Sequence, residues 1–528
     1  MRTKRCNTRV VAAAALAAAW SVTAGAQPVD ANVPAGGAAT AAPTSVKRAF
    51  AITTMPARPA VALQPGAVPI AVDVALLSAL RADEPVRFAL TADRELEGVV
   101  QRIERRSATR FSVFGRVADD ADGYFILAVE DNVAAGIFES PVHGALHKLV
   151  HLGDGVSQIA PIDRRNAPEC ALPANAGAAN RGAVQPAVSG APSASARASE
   201  RGGDGDEGGI AGGCPAPPEN FDVIIAYTQA AAAEAGGTTA IQAVAQLAVD
   251  QANQAYDDSE IDPRMTLLFT KQVPYVESQD IYDDRDALAD PTDNQLDALH
   301  DDRDEFGADF VCLFVAAVNN SNAAGVAFCT PTGPEEGFCV VLQSQAVSNI
   351  SFAHEIGHLQ GCAHDFGNAG VGCNETCYAY GWRFFGNSGS GWRTVMAYNN
   401  NAGDFTRIAK FSNPGVNHDG QPTGNDNNPC IVNENNARLI NETALSRESW
   451  RSPRFDVWVE QGASAPRAGT HRYPWATVAT GAANIYSGTR IPLVQPVLNI
   501  KSGSYDETLT ISTPMTIRSC GGAATIGR

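Results

Sequence analysis

Histidine and glutamate side chains in residues 351–365 have the types and the spacing of a catalytic metal site. His354 and His358 are four residues apart, so on a helix both imidazoles project from the same face and can reach one ion. Gly361 lets the backbone leave the helix sharply, which brings His364 round as a third ligand. Three neutral imidazoles leave the fourth position of a tetrahedral zinc ion open, which is the arrangement of catalytic zinc sites.

Glu355 is the candidate general base of this site. Its carboxylate lies beside the first ligand, where it can accept a proton from a water molecule and pass it to a leaving amine. A zinc ion lowers the pKa of its water from about 15.7 to about 7, so a nucleophile is available at neutral pH. The pattern predicts metal-assisted hydrolysis. The alternative is a catalytically silent, zinc-stabilised binding or adhesion protein, but that alternative leaves Glu355 without a role.

The histidine pattern, together with a methionine further along the chain, resembles the metzincin zinc peptidases. Thr394-Val395-Met396-Ala397-Tyr398 is similar to their Met-turn. Within the metzincins the sequence is most similar to the bacterial peptidyl-Asp metalloendopeptidases, which are relatives of the reprolysins. That likeness covers about residues 215–450, and it rests on residues 380–383, 391–398, 411–414 and 436–444 and on Asp365 after the third histidine.

The resemblance implies a fold, a cofactor and an activity. The fold is an α/β (α+β) metzincin catalytic domain, with a mixed sheet above an active-site helix. The cofactor is one catalytic Zn²⁺ held by His354, His358 and His364, with Met396 packed beneath the imidazoles without coordinating. The activity is endopeptidase cleavage of protein or peptide substrates, with Asp directly after the scissile bond. A structural Ca²⁺ is compatible with the chain, although nothing in the sequence indicates one.

An acidic residue after the scissile bond requires a cation in the pocket that receives it, because a buried carboxylate needs a charge-assisted partner. In metzincins that pocket is walled by the Met-turn and the segment after it. The candidate cations are therefore Arg393, Arg407 and Lys410, with Arg383 more distant. Arginine suits best, since its planar fork matches a carboxylate. The alternative for each of them is a solvated surface base.

Two further residues have two interpretations each. Tyr398 is similar to a tyrosine by which astacins and serralysins stabilise the oxyanion, although reprolysins generally lack it, and the alternative is a packed aromatic ring. Cys170 is a candidate latency switch, because a thiolate is a strong zinc ligand that can displace water. The alternative for Cys170 is a disulfide bond to Cys214 or Cys520.

Composition divides the chain into five parts. Residues 1–26 have a positively charged start, an Ala-rich apolar run and a small-residue cleavage site, which predict a signal peptide and a secreted protein. Residues 27–170 are expected to be a propeptide that is β-rich from about residue 86, and residues 171–213 a flexible linker open to proteolytic nicking. Residues 214–453 are expected to be the catalytic domain. Residues 454–528 resemble a short stub of a right-handed parallel β-helix.

Hydrophobic periodicity predicts an α/β order for the catalytic region. Strands are predicted at residues 221–227, 265–269 and 310–316, and helices at residues 239–256 and 293–306. This alternation favours a largely parallel sheet. Elsewhere, residues 110–117 and 123–129 predict a β-hairpin, residues 505–511 predict a strand of the C-terminal coil, and the acidic run 280–304 predicts a solvated loop and helix face.

Charge and cysteine usage exclude several classes of protein. A net charge of −18 argues against nucleic acid as a partner, and no apolar run after the signal approaches the roughly 18 residues that span a bilayer. We expect a monomer. Eight cysteines fall between Cys214 and Cys430, which in an oxidising compartment predicts disulfide bonds. Cys329 with Cys339, and Cys373 with Cys377, are close enough in sequence for local loops.

Overall fold

A computed structural model describes residues 46–56, 59–171, 217–316, 323–369, 376–399, 404–427 and 432–527. The expected signal peptide lies outside the described residues. The expected linker also lies outside them, except for Ala171. Three cysteines, Cys214, Cys373 and Cys430, lie outside them as well. Within the described part of the chain, no helix has the length and the apolar character needed to cross a membrane.

Ten strands and one short helix are formed by the residues that the structure describes between 46 and 171. The strands are β1 (Lys47–Arg48), β2 (Phe50–Ile52), β3 (Val68–Val72), β4 (Pro85–Ala89), β5 (Glu95–Arg105), β6 (Arg110–Val117), β7 (Tyr124–Glu130), β8 (Val133–Ser140), β9 (Ala145–Gly153) and β10 (Val156–Pro161), and the helix is α1 (Val74–Ala79). They make one sheet in the order β1-β4-β5-β6-β7-β8-β9-β10-β3-β2. Neighbouring strands are antiparallel except β1 and β4, which are parallel.

The predicted hairpin is confirmed, because β6 and β7 pair in antiparallel register from Arg110 and Glu130 to Arg116 and Tyr124. Three strands that the sequence did not predict, β1, β2 and β3, precede residue 86. These three strands are short and partly exposed. They therefore lack the alternation of apolar and polar residues by which a strand is found in a sequence.

The middle of the chain forms a five-stranded sheet with helices around it. Its strands are β11 (Asn220–Thr228), β12 (Arg264–Val273), β13 (Phe310–Val315), β14 (Gly325–Ala327) and β15 (Phe338–Leu342), and its helices are α2 (Gln229–Ala235), α3 (Thr238–Asp257), α4 (Ile281–Ala289), α5 (Ala298–Phe306), α6 (Gln343–Ala346) and α7 (Ser351–Leu359). The strand order is β12-β11-β13-β15-β14. Only the β14–β15 pair is antiparallel, so the sheet is mixed, as expected, and β14 lies at its edge.

The acidic run contains the main departures from the predicted elements. The helix expected from residue 293 begins at Ala298, and α4 was not predicted. Asp284 and Asp302 are buried rather than solvated. Tyr275 and the Ser278 amide donate hydrogen bonds to Asp284. Lys271 and Arg490 form ion pairs with Asp302. Lys271 and Arg490 are 31 and 188 positions from Asp302, so they leave no local signal in an acidic stretch.

After α7, the described residues form short strands and a helix. They then form a separate three-stranded sheet whose strands are all parallel. These elements are β16 (Arg383–Phe385), β17 (Gly391–Arg393), β18 (Phe405–Arg407), β19 (Asn417–His418), β20 (Gln421–Pro422), α8 (Asn436–Arg447), β21 (Asp456–Val459), α9 (Val478–Asn484), β22 (Val497–Tyr505) and β23 (Thr516–Ile526). Strands β21, β22 and β23 are parallel and adjacent in chain order. The predicted strand at residues 505–511 is wrong, since β22 ends at Tyr505. The β-helix itself stays a prediction.

One face of the ten-stranded sheet packs on the catalytic region. In β7, Phe125 and Leu127 belong to a core within the sheet, whereas Tyr124 and Ile126 alternate with them and share a core with α3. Gln251 of α3 donates a hydrogen bond to the Tyr124 hydroxyl. The contact between the two regions is therefore a continuous hydrophobic core.

Of the two local loops that the sequence allows, the one between Cys373 and Cys377 stays a prediction, because Cys373 lies outside the described residues. Cys377 and Cys520 are in disulfide bonds. Cys339 has a free thiol, so its predicted loop with Cys329 does not form. Cys339 instead lies level with Cys312, also a free thiol, on the neighbouring parallel strand.

Candidate metal centre

Helix α7 presents the first two histidines from the centre of the domain. Phe352, Ile356 and Leu359 are fully buried and attach the helix to the core, as the sequence predicts. The helix ends at Leu359 because the chain turns at Gly361, whose φ of 97° is in the left-handed region that favours glycine. That turn directs the chain back towards the helix, where His364 is buried.

Four side chains converge on one point. One ligand atom each from His354, His358, His364 and Cys170 lies within 4.8 Å of all the others. Each imidazole is oriented through its Nδ1, which donates a hydrogen bond to a backbone carbonyl. The acceptors are Val395 for His354 (2.8 Å), Cys362 for His358 (2.8 Å) and Asn368 for His364 (3.1 Å). Because Nδ1 carries the proton, each Nε2 has a lone pair available for a metal.

These residues fit a zinc ion. Among the described residues, the buried Nε2 of His354 has no hydrogen-bond partner, which is the condition of an atom reserved for a metal. Burial, and after it the Arg407 guanidinium, hold the pKa of His354 well below its usual value. Burial lowers the pKa of His358 to about 4. The imidazoles are therefore neutral, and three neutral imidazoles are a ligand set that zinc accepts.

Glu355 is buried beside the cluster. Its Oε2 lies 3.7 Å from the Cys170 Sγ, and its Oε1 has no partner among the described residues. Burial raises the pKa of Glu355 to about 8, against the opposing effects of the Cys170 contact and Arg407. Gly325 of the edge strand packs against this carboxylate, since a Cβ there would lie 2.6 Å from Oε1. A side chain at residue 325 would displace Glu355.

Met396 lies directly under the helix, as the resemblance implies. It is fully buried, and a Cβ added to Gly357 would lie 2.6 Å from its Sδ. Gly357 separates Ile356 from the second histidine, and its missing side chain allows the Met-turn to approach α7. The neighbouring Val395 carbonyl orients His354, so the Met-turn supports the metal ligands both sterically and through a hydrogen bond.

Tyr398 lies over the ligands rather than apart from them. Its ring centroid is 4.1 Å from that of His364, and its hydroxyl donates a hydrogen bond of 2.7 Å to the Cys170 carbonyl. Its amide donates to Asp365, the acid after the third histidine. Asp365 also forms an ion pair with Arg383, so Arg383 is engaged below the site.

Arg393 and Arg407 converge on one carboxylate, that of Glu169. Arg393 Nη1 and Arg407 Nη2 each lie 2.8 Å from it, and the Asn399 amide donates to it at 2.9 Å. Both guanidiniums are buried, so the alternative of solvated surface bases does not hold for them. Lys410, the third candidate cation, forms an ion pair with Asp122 instead.

Cys170 reaches the metal cluster from the sheet region. Its Sγ lies 3.7 Å from the Nε2 of His358. The thiol is free and buried, so the expected alternative of a disulfide to Cys214 or Cys520 is not formed. Glu169 was missed by sequence analysis, since a single acid in a region without periodicity carries no pattern. Its only signal is its position directly before Cys170.

Comparisons with known proteins give matches that include this part of the chain. Residues 218–412 match the family described as "Metallo-peptidase family M12". The chain is 33% identical over 235 residues to the peptidyl-Asp metalloendopeptidase of Stenotrophomonas maltophilia strain R551-3, a match covering 44% of this chain and 55% of that protein. It is 33% identical to the protein of the same name from Xanthomonas campestris pv. campestris, covering 41% and 50%. With the Pseudomonas aeruginosa protein the identity is 24%, covering 51% and 47%.

The chain spans about half the length of the curated relatives that it matches. A solved structure titled "Structure of a chaperone-substrate complex" overlaps at a TM-score of 0.34 and 15% identity, covering 44% of this chain and 39% of that one, which is too weak for any comparison of folds. The predicted family resemblance is confirmed, and zinc is the metal that this family implies.

Proposed function

We propose that the protein, whose residues 218–412 match the M12 metallopeptidase family, is an exported zinc endopeptidase that cuts on the N-terminal side of Asp, with Glu355 as general base. The observation that carries the proposal is the convergence, within one buried centre, of three neutral imidazoles, an unpaired carboxylate oxygen and a pair of guanidiniums. Export is supported by the charge and apolar pattern of residues 1–26.

The residues divide the reaction between them. His354, His358 and His364 would hold the zinc ion, which when bound would supply Lewis acidity and a nucleophile at neutral pH. Glu355 takes a proton from the attacking water and delivers it to the leaving amine, and its raised pKa lets it hold that proton between the two steps. The Tyr398 hydroxyl donates to the substrate carbonyl oxygen as negative charge develops there, as it now donates to the Cys170 carbonyl.

The preference for Asp rests on Arg393 and Arg407. Both guanidiniums form ion pairs with the Glu169 carboxylate, which supports the proposal that together they bind a carboxylate in this position. The printed name of the bacterial relatives, peptidyl-Asp metalloendopeptidase, is consistent with the same preference. In this proposal the two arginines bind the acidic side chain that follows the scissile bond, and Lys410 takes no part.

Latency rests on Cys170. Its thiol lies among the three imidazoles, so in the precursor it would be a fourth ligand of a bound zinc ion and would exclude the water molecule that the reaction needs. The alternative function, a catalytically silent zinc-stabilised binding protein, requires no base beside the ligands and no polar group free to accept a proton. The unpartnered Oε1 of Glu355 favours the enzyme.

Glu355→Gln and Glu355→Ala should retain one zinc per chain by elemental analysis and lose roughly 10²–10⁴-fold in the rate of protein cleavage. The exposed acid Glu335 offers a matched control, since Glu335→Gln should cleave normally. Removal of zinc by a chelator should abolish cleavage in the native protein. Near-native cleavage by the Glu355→Ala protein would end this mechanism.

Tyr398→Phe should lower kcat by about 10²-fold and leave KM nearly unchanged, because an oxyanion donor acts in the transition state. The ring packing on His364 is retained in this variant. Steady-state kinetics on a short Asp-containing peptide measure both constants. If kcat does not change, Tyr398 has only a packing role.

Cys170→Ser should make the full-length precursor measurably more active than the native precursor, because a hydroxyl is a much weaker zinc ligand than a thiolate. Cleavage of a fluorogenic peptide and an electrophoretic check that the chain is intact measure this together. A Cys170→Ser precursor as latent as the native one would contradict the latency role.

Arg393→Met and Arg407→Met should each reduce cleavage before Asp by about 10²-fold relative to cleavage before Asn, since truncating one partner of a buried charge pair costs about 2–5 kcal/mol. Mass spectrometry of proteome digests gives the residue after each cut. Lys410→Met is the control and should keep the native preference. Native digests without enrichment of Asp after the cut would refute the specificity while leaving the zinc peptidase intact.

A further inference from the structure

The segment around Cys170 fills more of the site than the metal cluster alone. The Glu169 carbonyl accepts a hydrogen bond from the Ala324 amide (2.7 Å), and the Ala171 amide donates one to the Gly325 carbonyl (2.8 Å). Residues 169–171 therefore lie along the edge strand β14 as an extended peptide bound to a sheet edge does. The Tyr398 hydroxyl is occupied by the carbonyl between these two contacts.

The Glu169 side chain supplies the negative charge that the two buried arginines need. In the described part of the chain, Glu169 is the acid that forms an ion pair with Arg393 and with Arg407. Two buried guanidiniums side by side repel each other, and removing them from water is costly without a counter-charge. Burial, with Arg407 as the next cause, lowers the pKa of Arg393 to about 10, which reflects this cost.

A second buried ion pair, at the boundary between the N-terminal region and the rest of the chain, differs from the one at Glu169. Arg164, in the same segment, is buried and pairs with Glu139 of β8, while it also donates to the carbonyls of Ser348 and Arg407. Its acid and its base both precede the expected linker, so they stay together when the chain is cut. In contrast, Glu169 precedes the expected linker, whereas its partners Arg393 and Arg407 follow it.

We propose that Glu169 is a tethered substitute for the acidic side chain of a substrate, so that the precursor is held closed by two adjacent residues, with Glu169 in the acid-binding pocket and Cys170 at the metal. This inference rests on the proposed function and adds the ligand of the specificity pocket in the precursor. The N-terminal region and the substrate then compete for the same arginines. Chain cleavage alone leaves the pocket filled, because a carboxylate must leave before another can enter.

The first test measures release of the segment without measuring activity. In the zinc-loaded full-length precursor, the rate of Cys170 alkylation by N-ethylmaleimide is followed by mass spectrometry of the Cys170 peptide. Glu169→Gln should raise that rate at least tenfold, and Glu169→Asp should raise it less. Glu95→Gln, which removes an exposed ion pair with Arg48 in the same sheet, should leave it unchanged.

Two internal thiols separate local release from unfolding. Cys312 and Cys339 are fully buried in the central sheet, and their alkylation should stay slow in every variant. An unchanged Cys170 rate in Glu169→Gln overturns the proposal. Equal acceleration of all three thiols in both Glu169→Gln and Glu169→Asp also overturns it, because Glu169 would then stabilise the fold rather than occupy a pocket.

The second test asks whether segment and substrate share the pocket. A synthetic peptide of residues 163–171 with Cys170→Ser, which removes the thiol, is labelled and titrated with the processed protein after its cleaved N-terminal region has been separated from it. Binding is read by fluorescence anisotropy. The peptide should be displaced by an Asp-containing peptide, and its Glu169→Gln form should bind at least tenfold more weakly. Equal binding of both forms overturns the inference. A processed protein that binds the peptide through Glu169 but cleaves nothing would instead refute the proposed activity.

Discussion

The metal centre depends on three hydrogen bonds from imidazole Nδ1 atoms to backbone carbonyls. A buried histidine offers Nε2 to a metal only when Nδ1 keeps its proton, and the carbonyls of Val395, Cys362 and Asn368 enforce that tautomer. These carbonyls belong to the Met-turn, to the turn after α7 and to the loop after His364. The surrounding architecture holds three loops against one helix, with α3 and β15 packed behind α7.

A second constraint is the burial of Arg393 and Arg407 on adjacent strands, β17 and β18. Two cations in a protein interior need an anion nearby, and the catalytic region places the Asn399 amide beside them but no carboxylate in ion-pair contact among its described residues. The two guanidiniums therefore need a negatively charged ligand in this pocket. In the proposed function, the two guanidiniums that would bind the acidic side chain of a substrate are the same groups that hold the N-terminal segment through Glu169.

Part of the fold and of the candidate site can be predicted from the sequence, and part cannot. His354, His358 and Glu355 follow from the period of a helix, and the strand–helix alternation of the central sheet follows from hydrophobic spacing. The choice among Arg393, Arg407 and Lys410 does not follow, because all three are bases near the Met-turn and only packing buries two of them. Glu169 and its partner Arg393 are separated by 224 positions, and no local pattern connects residues so far apart. The early strands β1 to β3 were missed for a related reason, since their pairing is supplied by distant strands.

The shared core of β7 and α3 has a consequence for how such a precursor is activated. Breaking a peptide bond within residues 172–213 would remove a covalent tether and none of the contacts made by Tyr124 and Ile126. The cleaved N-terminal region would therefore persist as a non-covalent inhibitor, and its departure would be governed by mass action. Dilution after export into a large volume would then complete activation, whereas a crowded compartment would keep the two pieces together.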